Sequence, residues 1–322
     1  VTRPIIGRVV PEQWRSTGAT APGQRSVGEP GTARIAVDLL GGDQAPAVVV
    51  DGALRAVQDD PTLHLTLVGP AEASDAVLAA LHPAQRHRIT AVLGGSAVQA
   101  VADGLADAAL SAGDTGITVV SAARVLGRWP GVRRPPLAAV LPTVAGRLVL
   151  LDVGSTVDPD EQTLAVHARL GAAYAAAVHD IPTPRVGLLT IGTELGKGDR
   201  LRRAVPALLA DRPLPAGARY TGLVEGGDVV LGHGVDVVVT DGFTGNVLLK
   251  ALETTYARSG HGAARTPRAA VLLGVGGTVV VCHGSATGAD LAGGIAFTAH
   301  LHRRSALAAI VDLLTYNEVS HE

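Results

Sequence analysis

Residues 111–116 read Ser-Ala-Gly-Asp-Thr-Gly and lead directly into the helical pattern ITVVSAARVLG. A tight turn before a helix N-terminus leaves backbone N–H groups pointing outward, which suits an anion. Yet this turn carries its own acid, Asp114. Two roles are open to it. Its carboxylate caps the helix that starts near Thr115 by accepting backbone N–H bonds. Otherwise it faces the ligand, where an ionised carboxylate about 4 Å from a phosphate costs on the order of 4 kcal/mol per unit charge at an effective dielectric of 20.

A second turn, GTELGKGD at 192–199, sets Lys197 among glycines, where it can grip phosphate. It is not a P-loop, because three residues separate Gly192 from Gly196 and Gly198 follows the lysine. GVGGTV at 274–279 lacks the third glycine of the dinucleotide fingerprint, and neither a GxSxG elbow nor an HExxH zinc helix occurs. His64, His82 and His87 lack ligand spacing, and His283 beside Cys282 is not a metal site by itself. No cofactor and no metal are therefore expected, and a nicotinamide-dependent dehydrogenase is disfavoured.

The elements that must position these turns are legible as short apolar runs. Seven of them, 34–43, 63–70, 106–114, 147–155, 185–193, 235–243 and 278–285, end in similar punctuation, all but 63–70 in glycine with a polar neighbour. An eighth, LAAVLPT at 137–143, ends in Pro-Thr. Near-continuous Val, Leu, Ile and Ala suit strands buried on both faces of a parallel sheet. Helical patterns lie between them, as in APAVVVDGALRAVQDDP, SAVQAVADGLAD and EQTLAVHARLGAAYAAAVHD. Strand–helix alternation means an α/β fold with a mainly parallel sheet, and no internal repeat is visible in the sequence. Ligands of such sheets bind beyond the carboxyl ends of the strands. Gly41, Gly42, Asp43, Gly113, Asp114, Asp152, Gly154, Gly192, Asp241, Gly242, His283 and Gly284 all fall there. One glycine merely closes a turn, but six such ends with glycine and a polar residue point to a shared crevice.

Composition narrows the partners. The 322 residues are 47% hydrophobic and 17% charged, enough for a large core. A formal net charge of −2 and only 2% aromatics argue against a nucleic-acid surface. The single cysteine, Cys282, excludes an internal disulfide and fits a reducing cytoplasm. No apolar run reaches the ~18 residues of a membrane span. Residues 1–33, rich in Pro, Gly, Ser and Thr, are expected to be a disordered extension, and 34–322 a single α/β domain.

Read in order, several stretches resemble the PlsX-type phosphate acyltransferases of bacterial phospholipid synthesis. They are VDLLGGDQAP, SAGDTG, LLDVGSTVD, GLLTIGTELGKGD, YTGLVEGGDV, VDVVVTDGFTGNVLLK and LLGVGGTVVVCHGSA, with their order preserved from about residue 34 to 290. The resemblance implies a Rossmann-like, three-layer α/β/α sandwich, a homodimer, and an association with the membrane surface. It also implies a reaction: an acyl group moves from an acyl thioester, on acyl carrier protein or coenzyme A, to inorganic phosphate. Phosphate is already an anionic nucleophile and a thiolate leaves readily, so such a protein mainly holds the reactants together and stabilises the oxyanion. On that basis Lys197, Asn246 and His283 are the candidate catalytic residues, Lys197 for phosphate and Asn246 as a donor to oxyanion or phosphate. Gly42, Asp43, Gly113, Asp114, Thr115, Gly116, Gly154, Glu225, Asp241 and Ser285 are the candidate binding residues. The acids Asp43, Asp241 and Glu225 are expected to orient loops and donors, and His283 and Ser285 to add hydrogen bonds.

The chain departs from the family pattern at informative places. Asp114, Thr156, Leu223 and Thr190 stand where the pattern has Asn, and Gly227 where it has Arg. A basic stretch ahead of SAGDTG and a long helical insertion after GNVLLK are shortened. The short 251–270 segment leaves no amphipathic anchor, so weak membrane attachment at most is expected. Two functions remain open: a divergent phosphate acyltransferase, and a non-catalytic relative that binds a small ligand or a protein.

Overall fold

In the computed structural model, residues 31–194, 196–210, 213–259 and 269–319 are described. The expected extension therefore lies outside the described residues up to position 30, as does 260–268 of the shortened segment. The first strand, β1, starts at Ala33.

The strands are β1 (Ala33–Asp38), β2 (Leu63–Gly69), β3 (Ile89–Leu93), β4 (Ala108–Ser111), β5 (Leu137–Thr143), β6 (Gly146–Leu151), β7 (Arg185–Leu189), β8 (Arg219–Val224), β9 (Val237–Val239), β10 (Ala269–Leu272) and β11 (Thr278–Cys282). All eight apolar runs contain a strand. The helices are α1 (Ala47–Asp59), α2 (Ala71–Ala80), α3 (Ala97–Ala102), α4 (Thr115–Val125), α5 (Glu161–His179), α6 (Arg200–Ala210), α7 (Gly226–Leu231), α8 (Gly242–Ser259), α9 (Gly288–Arg303) and α10 (Ala306–Val319).

The strands form one sheet in the order β3-β2-β1-β4-β11-β10-β5-β6-β9-β7-β8. Seven of its ten pairings are parallel, which makes the sheet mainly parallel. The three antiparallel pairings, β11–β10, β10–β5 and β5–β6, lie together in the middle. They reverse the sheet's direction: β3, β2, β1, β4 and β11 run one way, and β6, β9, β7 and β8 the other. One core on one face joins Val49, Leu164, Tyr174, Val205 and Ile295 to the sheet; the second, on the other face, joins Val98, Val119, Val229 and Leu249. This is the α/β/α sandwich.

The two halves repeat one device, contrary to the expectation of no internal repeat. At the start of β1, Arg34 grips Asp107 with its backbone N–H (2.9 Å), Nε (3.3 Å) and Nη2 (2.6 Å). At the start of β7, Arg185 grips Asp236 in the same way, at 2.8, 2.9 and 2.8 Å. Each Asp precedes the strand beside its arginine's strand, and the following segments, DAALSAGDTG and DVVVTDGFTG, align without a gap. Strand triplets β2-β1-β4 and β8-β7-β9 thus correspond. The sequence likeness is two short matches over 100 residues apart, too sparse to show in a scan for periodicity.

Candidate active site

The nominated strand ends fall into two clusters, one per half. In the first, Ser111 Oγ donates to Asp38 Oδ2 (2.9 Å) and accepts from the Gly113 N–H (3.1 Å). The Asp43 N–H donates to the Gly284 carbonyl at 2.7 Å. The loops 41–43, 112–114 and 283–285 are thereby stitched together. Asp114 Oδ1 accepts the Ile117 N–H at 2.8 Å and caps α4. The preference of Asp for this position accounts for the acid in the anion-shaped turn, and one of the helix's first N–H groups is occupied by it.

In the second cluster the organiser is Asp152, fully buried at the end of β6. Its Oδ1 accepts from the N–H groups of Leu137 (3.1 Å), Gly154 (3.1 Å) and Ser155 (2.9 Å), and its Oδ2 from Thr156 (2.6 Å). Burial pushes its carboxyl upward, and the same burial pushes its neighbour His167 downward. The loop so formed receives the N-terminus of α8. The Gly242 N–H donates to the Thr156 carbonyl at 2.7 Å, and Asn246 Nδ2 donates to the Val153 carbonyl at 3.0 Å. Gly245 is obligatory here, since a Cβ would overlap the Asp152 carbonyl oxygen. Gly154 adopts φ +139 against the Asn246 amide, where a side chain would be both strained and crowded.

Arg202 of α6 locks this cluster from beneath. It donates Nε to the Leu189 carbonyl (2.8 Å), Nη1 to Asp199 (2.9 Å), and Nη2 to Thr240 Oγ1 (3.0 Å) and Asp241 Oδ2 (2.8 Å). Asp241 also accepts the Thr244 N–H at 2.8 Å and so caps α8. Burial raises the Asp241 carboxyl, but the Thr244 N–H, the Arg202 guanidinium and the Thr244 hydroxyl together hold it below the ordinary carboxylate range.

A cavity of about 170 Å³ joins the two clusters. It lies along α8, over the central strands β5, β10 and β11 where the sheet changes direction. Its floor is apolar: Leu137, Ala139, Leu141, Val153, Leu249 and Val281. Its polar lining comes from Thr115 at the start of α4, His283 and Gly284 after β11, and Asn246, Lys250 and Glu253 on α8. His283 Nε2 and Glu253 Oε1 meet at 2.8 Å and bridge the halves. Cys282 also lines the cavity, but burial, with Asp290 nearby, pushes its thiol up to about 12, so it is not a thiolate nucleophile. Among the described residues no His, Cys, Asp and Glu side chains group as metal ligands.

The sequence profile of the Fatty acid synthesis protein family matches residues 33–99 and 94–261. The phosphate acyltransferases of Bacillus cereus (strain G9842) and Bacillus mycoides (strain KBAB4) are each 43% identical over 243 residues, covering 69% of this chain and 71% of theirs. The chain belongs to this family. Among solved structures, a branched-chain phosphotransacylase from Enterococcus faecalis V583 superposes with a TM-score of 0.61 at 16% identity, over 84% of this chain and 99% of that one. The EutD phosphotransacetylase from Staphylococcus aureus gives 0.59 at 17%, over 87% and 95%. At such identity these two speak for the fold.

Within this family member, the nominated residues distribute unevenly. Thr115, Asn246 and His283 line the cavity. Gly42, Gly113, Asp114, Gly116 and Gly154 shape the loops beside it. Asp43 keeps an exposed side chain next to Gly284, and Ser285 is also exposed. Glu225 stands at the sheet edge after β8, outside the cavity lining, and its N–H donates to Asp228 Oδ2 at 2.8 Å at the start of α7. Asp241 serves Arg202 and α8. Lys197 is exposed in the turn after β7, outside the cavity lining, with its N–H bonded to the Glu194 carbonyl at 3.1 Å. Lys250 and Glu253 were not nominated. With Asn246 they fall at i, i+4 and i+7, one face of a helix, and that spacing is the signal that points to them.

Proposed function

We propose that the cavity along α8 is where this chain transfers an acyl group from a thioester to inorganic phosphate. The chain is a transferase of fatty acid and phospholipid synthesis, and the 43% identity to phosphate acyltransferases across 69% of its length carries that reading. The cavity's chemistry suits it. Lys250, Asn246 and the first turn of α4 at Thr115 offer a cation and N–H donors for phosphate and for the oxyanion, and the apolar floor offers a bed for the acyl chain. A phosphate oxygen attacks the thioester carbonyl, the tetrahedral oxyanion collapses, and the C–S bond breaks with the electron pair leaving on sulfur. The products are an acyl phosphate and a thiol.

The donor in this reading is acyl carrier protein or coenzyme A carrying the acyl group. The protein works in the cytoplasm as a homodimer, at most weakly bound to membrane; no helix among the described residues is long and apolar enough to cross one. Exposed apolar side chains at Val157, Phe243 and Val247, on the joint between the 152–156 loop and α8, support a partner copy.

Purified protein incubated with phosphate and either thioester, with hydroxylamine trapping, should yield acyl hydroxamate. K250A should raise the KM for phosphate about ten- to a hundredfold, the worth of one charge-assisted hydrogen bond of about 1.5–3 kcal/mol. K197A is the parallel variant. A loss confined to K197A would move phosphate to the 190–199 turn, and no hydroxamate with either donor would refute the activity.

A further inference from the structure

We propose that Glu253 is a positioning residue of this reaction: it fixes His283 so that the other ring nitrogen, Nδ1, collects the proton carried by hydrogen phosphate. The inference rests on the acyl-transfer reading of the cavity. Its basis is a contact between the two halves. Glu253 comes from α8 and His283 from the turn after β11, and their side chains meet at 2.8 Å inside the cavity, each about one-fifth exposed. A carboxylate oxygen only accepts, so this contact selects the imidazole tautomer with its proton on Nε2. The lone pair is then left on Nδ1.

The reaction needs such an acceptor. Hydrogen phosphate enters with one proton still on an oxygen, and once a neighbouring oxygen is acylated that proton is much more acidic. It must leave as the C–O bond forms, and its final destination is the departing thiolate. In the proposed sequence, phosphate oxygen attacks the carbonyl carbon and the C=O pair moves to oxygen. His283 Nδ1 takes the phosphate proton. The C=O bond re-forms, the C–S bond breaks, and the imidazolium returns that proton to sulfur. Thioester and hydrogen phosphate have become acyl phosphate and thiol, with atoms and charge conserved. A positioned base of this kind contributes roughly 10²–10⁴-fold.

Among the described residues, few charged groups surround His283. Glu253 and Lys250 approach from α8, and Asp43 lies beside Gly284 on the loop after β1. Cys282, its chain neighbour, is a buried thiol. Of these, Glu253 alone bonds the ring, at 2.8 Å.

The test compares E253Q, E253D and H283Q with wild type across pH, with phosphate and acyl thioester varied separately. E253Q keeps an oxygen acceptor but loses the charge. It should lower kcat about tenfold, leave the KM for phosphate within about twofold, and move the acid limb of the kcat profile to lower pH, since a negative charge beside the base is gone. E253D, which retains a carboxylate, should recover the wild-type limb. H283Q should lower kcat about a hundredfold and abolish that limb, and adding E253Q to it should cost nothing more. An active wild type with an unshifted limb in E253Q, or additive losses in the double variant, would overturn the proposal alone. A wild type inactive with both donors would overturn it together with the acyl-transfer reading.

Discussion

Replacing Arg202 by Met tests whether the second strand-end cluster is held by one buried guanidinium. Arg202 is 7% exposed and Asp241 8%, and their Nη2–Oδ2 contact is 2.8 Å. Met keeps the apolar stem and removes the donors to the Leu189 carbonyl, Asp199, Thr240 and Asp241. Breaking a buried pair from one side costs about 3–5 kcal/mol, because the remaining charge is stranded. Asp241 keeps the Thr244 N–H and hydroxyl, so the lower figure, about 3 kcal/mol, applies. With a urea m-value of about 3 kcal/mol/M, the midpoint should fall by about 1 M. The pH dependence gives a second reading. In the wild type the Asp241 carboxyl lies below its unfolded value, so its contribution is present above the unfolded pKa and lost as pH falls through the folded one. Without Arg202 the upward push of burial prevails, and the neutral acid suits the site better than the carboxylate. The gap between R202M and wild type should therefore be widest at pH 7 and narrow as pH falls towards 4. Urea unfolding followed by circular dichroism at both pH values measures this. A midpoint shift under about 0.3 M, or a gap of equal size at both pH values, would refute the reasoning.

Three further perturbations address other parts of the architecture. G245A should destabilise and inactivate, although Gly to Ala inside a helix ordinarily stabilises by about 1 kcal/mol; the Cβ has nowhere to go but into the Asp152 carbonyl, and urea midpoint with hydroxamate assay would expose the reversed sign. D114A should cost about 1 kcal/mol through the lost α4 cap while D114N stays close to wild type, and calorimetry should find that D114N binds phosphate more tightly because a negative charge is gone. Burial, reinforced by Arg147, pushes His179 down to about 4, so the unfolded chain takes up its proton near pH 6.5 and the folded one does not; stability should be full above that pH, fall by up to about 2 kcal/mol at pH 5, and flatten in H179Q.

The strands that were legible are those buried on both faces, where apolar residues run almost without interruption. Those that were not are physically different. β3 is a sheet edge with exposed Thr90, Ala91 and Leu93, and β8 is the opposite edge and mixes Arg219, Tyr220 and Thr221 with Gly222. Strand direction was hidden for another reason: a run buried on both faces reads alike in either orientation. One clue was available. Only Val144 and Ala145 separate β5 from β6, too few for a parallel crossover, so that pair had to be antiparallel. Likewise, the rule that ligands gather at carboxyl ends led to His283, and the family resemblance to Thr115 and Asn246, but both passed over Lys250 and Glu253, which reach the cavity from the middle of a helix. Arg202 was invisible for the same reason: its partners, Asp199 apart, are distant in sequence, and nothing local distinguishes it from Arg200 or Arg203.

The position of β11 bears on how the chain is made. It pairs with β4 on one side, Ala108 against Thr278, and with β10 on the other. All of β5 to β9 is synthesised between those two partners. On the ribosome, β4 must therefore wait with one edge bare until roughly 170 further residues have emerged, a closure whose entropy grows only logarithmically with loop length. The waiting edge, Ala108–Ser111, is apolar and only four residues long, and short edges recruit stray strands poorly. Residues 146–259 emerge ahead of that closure and contain the whole parallel group β6, β9, β7 and β8, so this later half is free to assemble first, and the last strand made between the halves completes the half that was begun earliest.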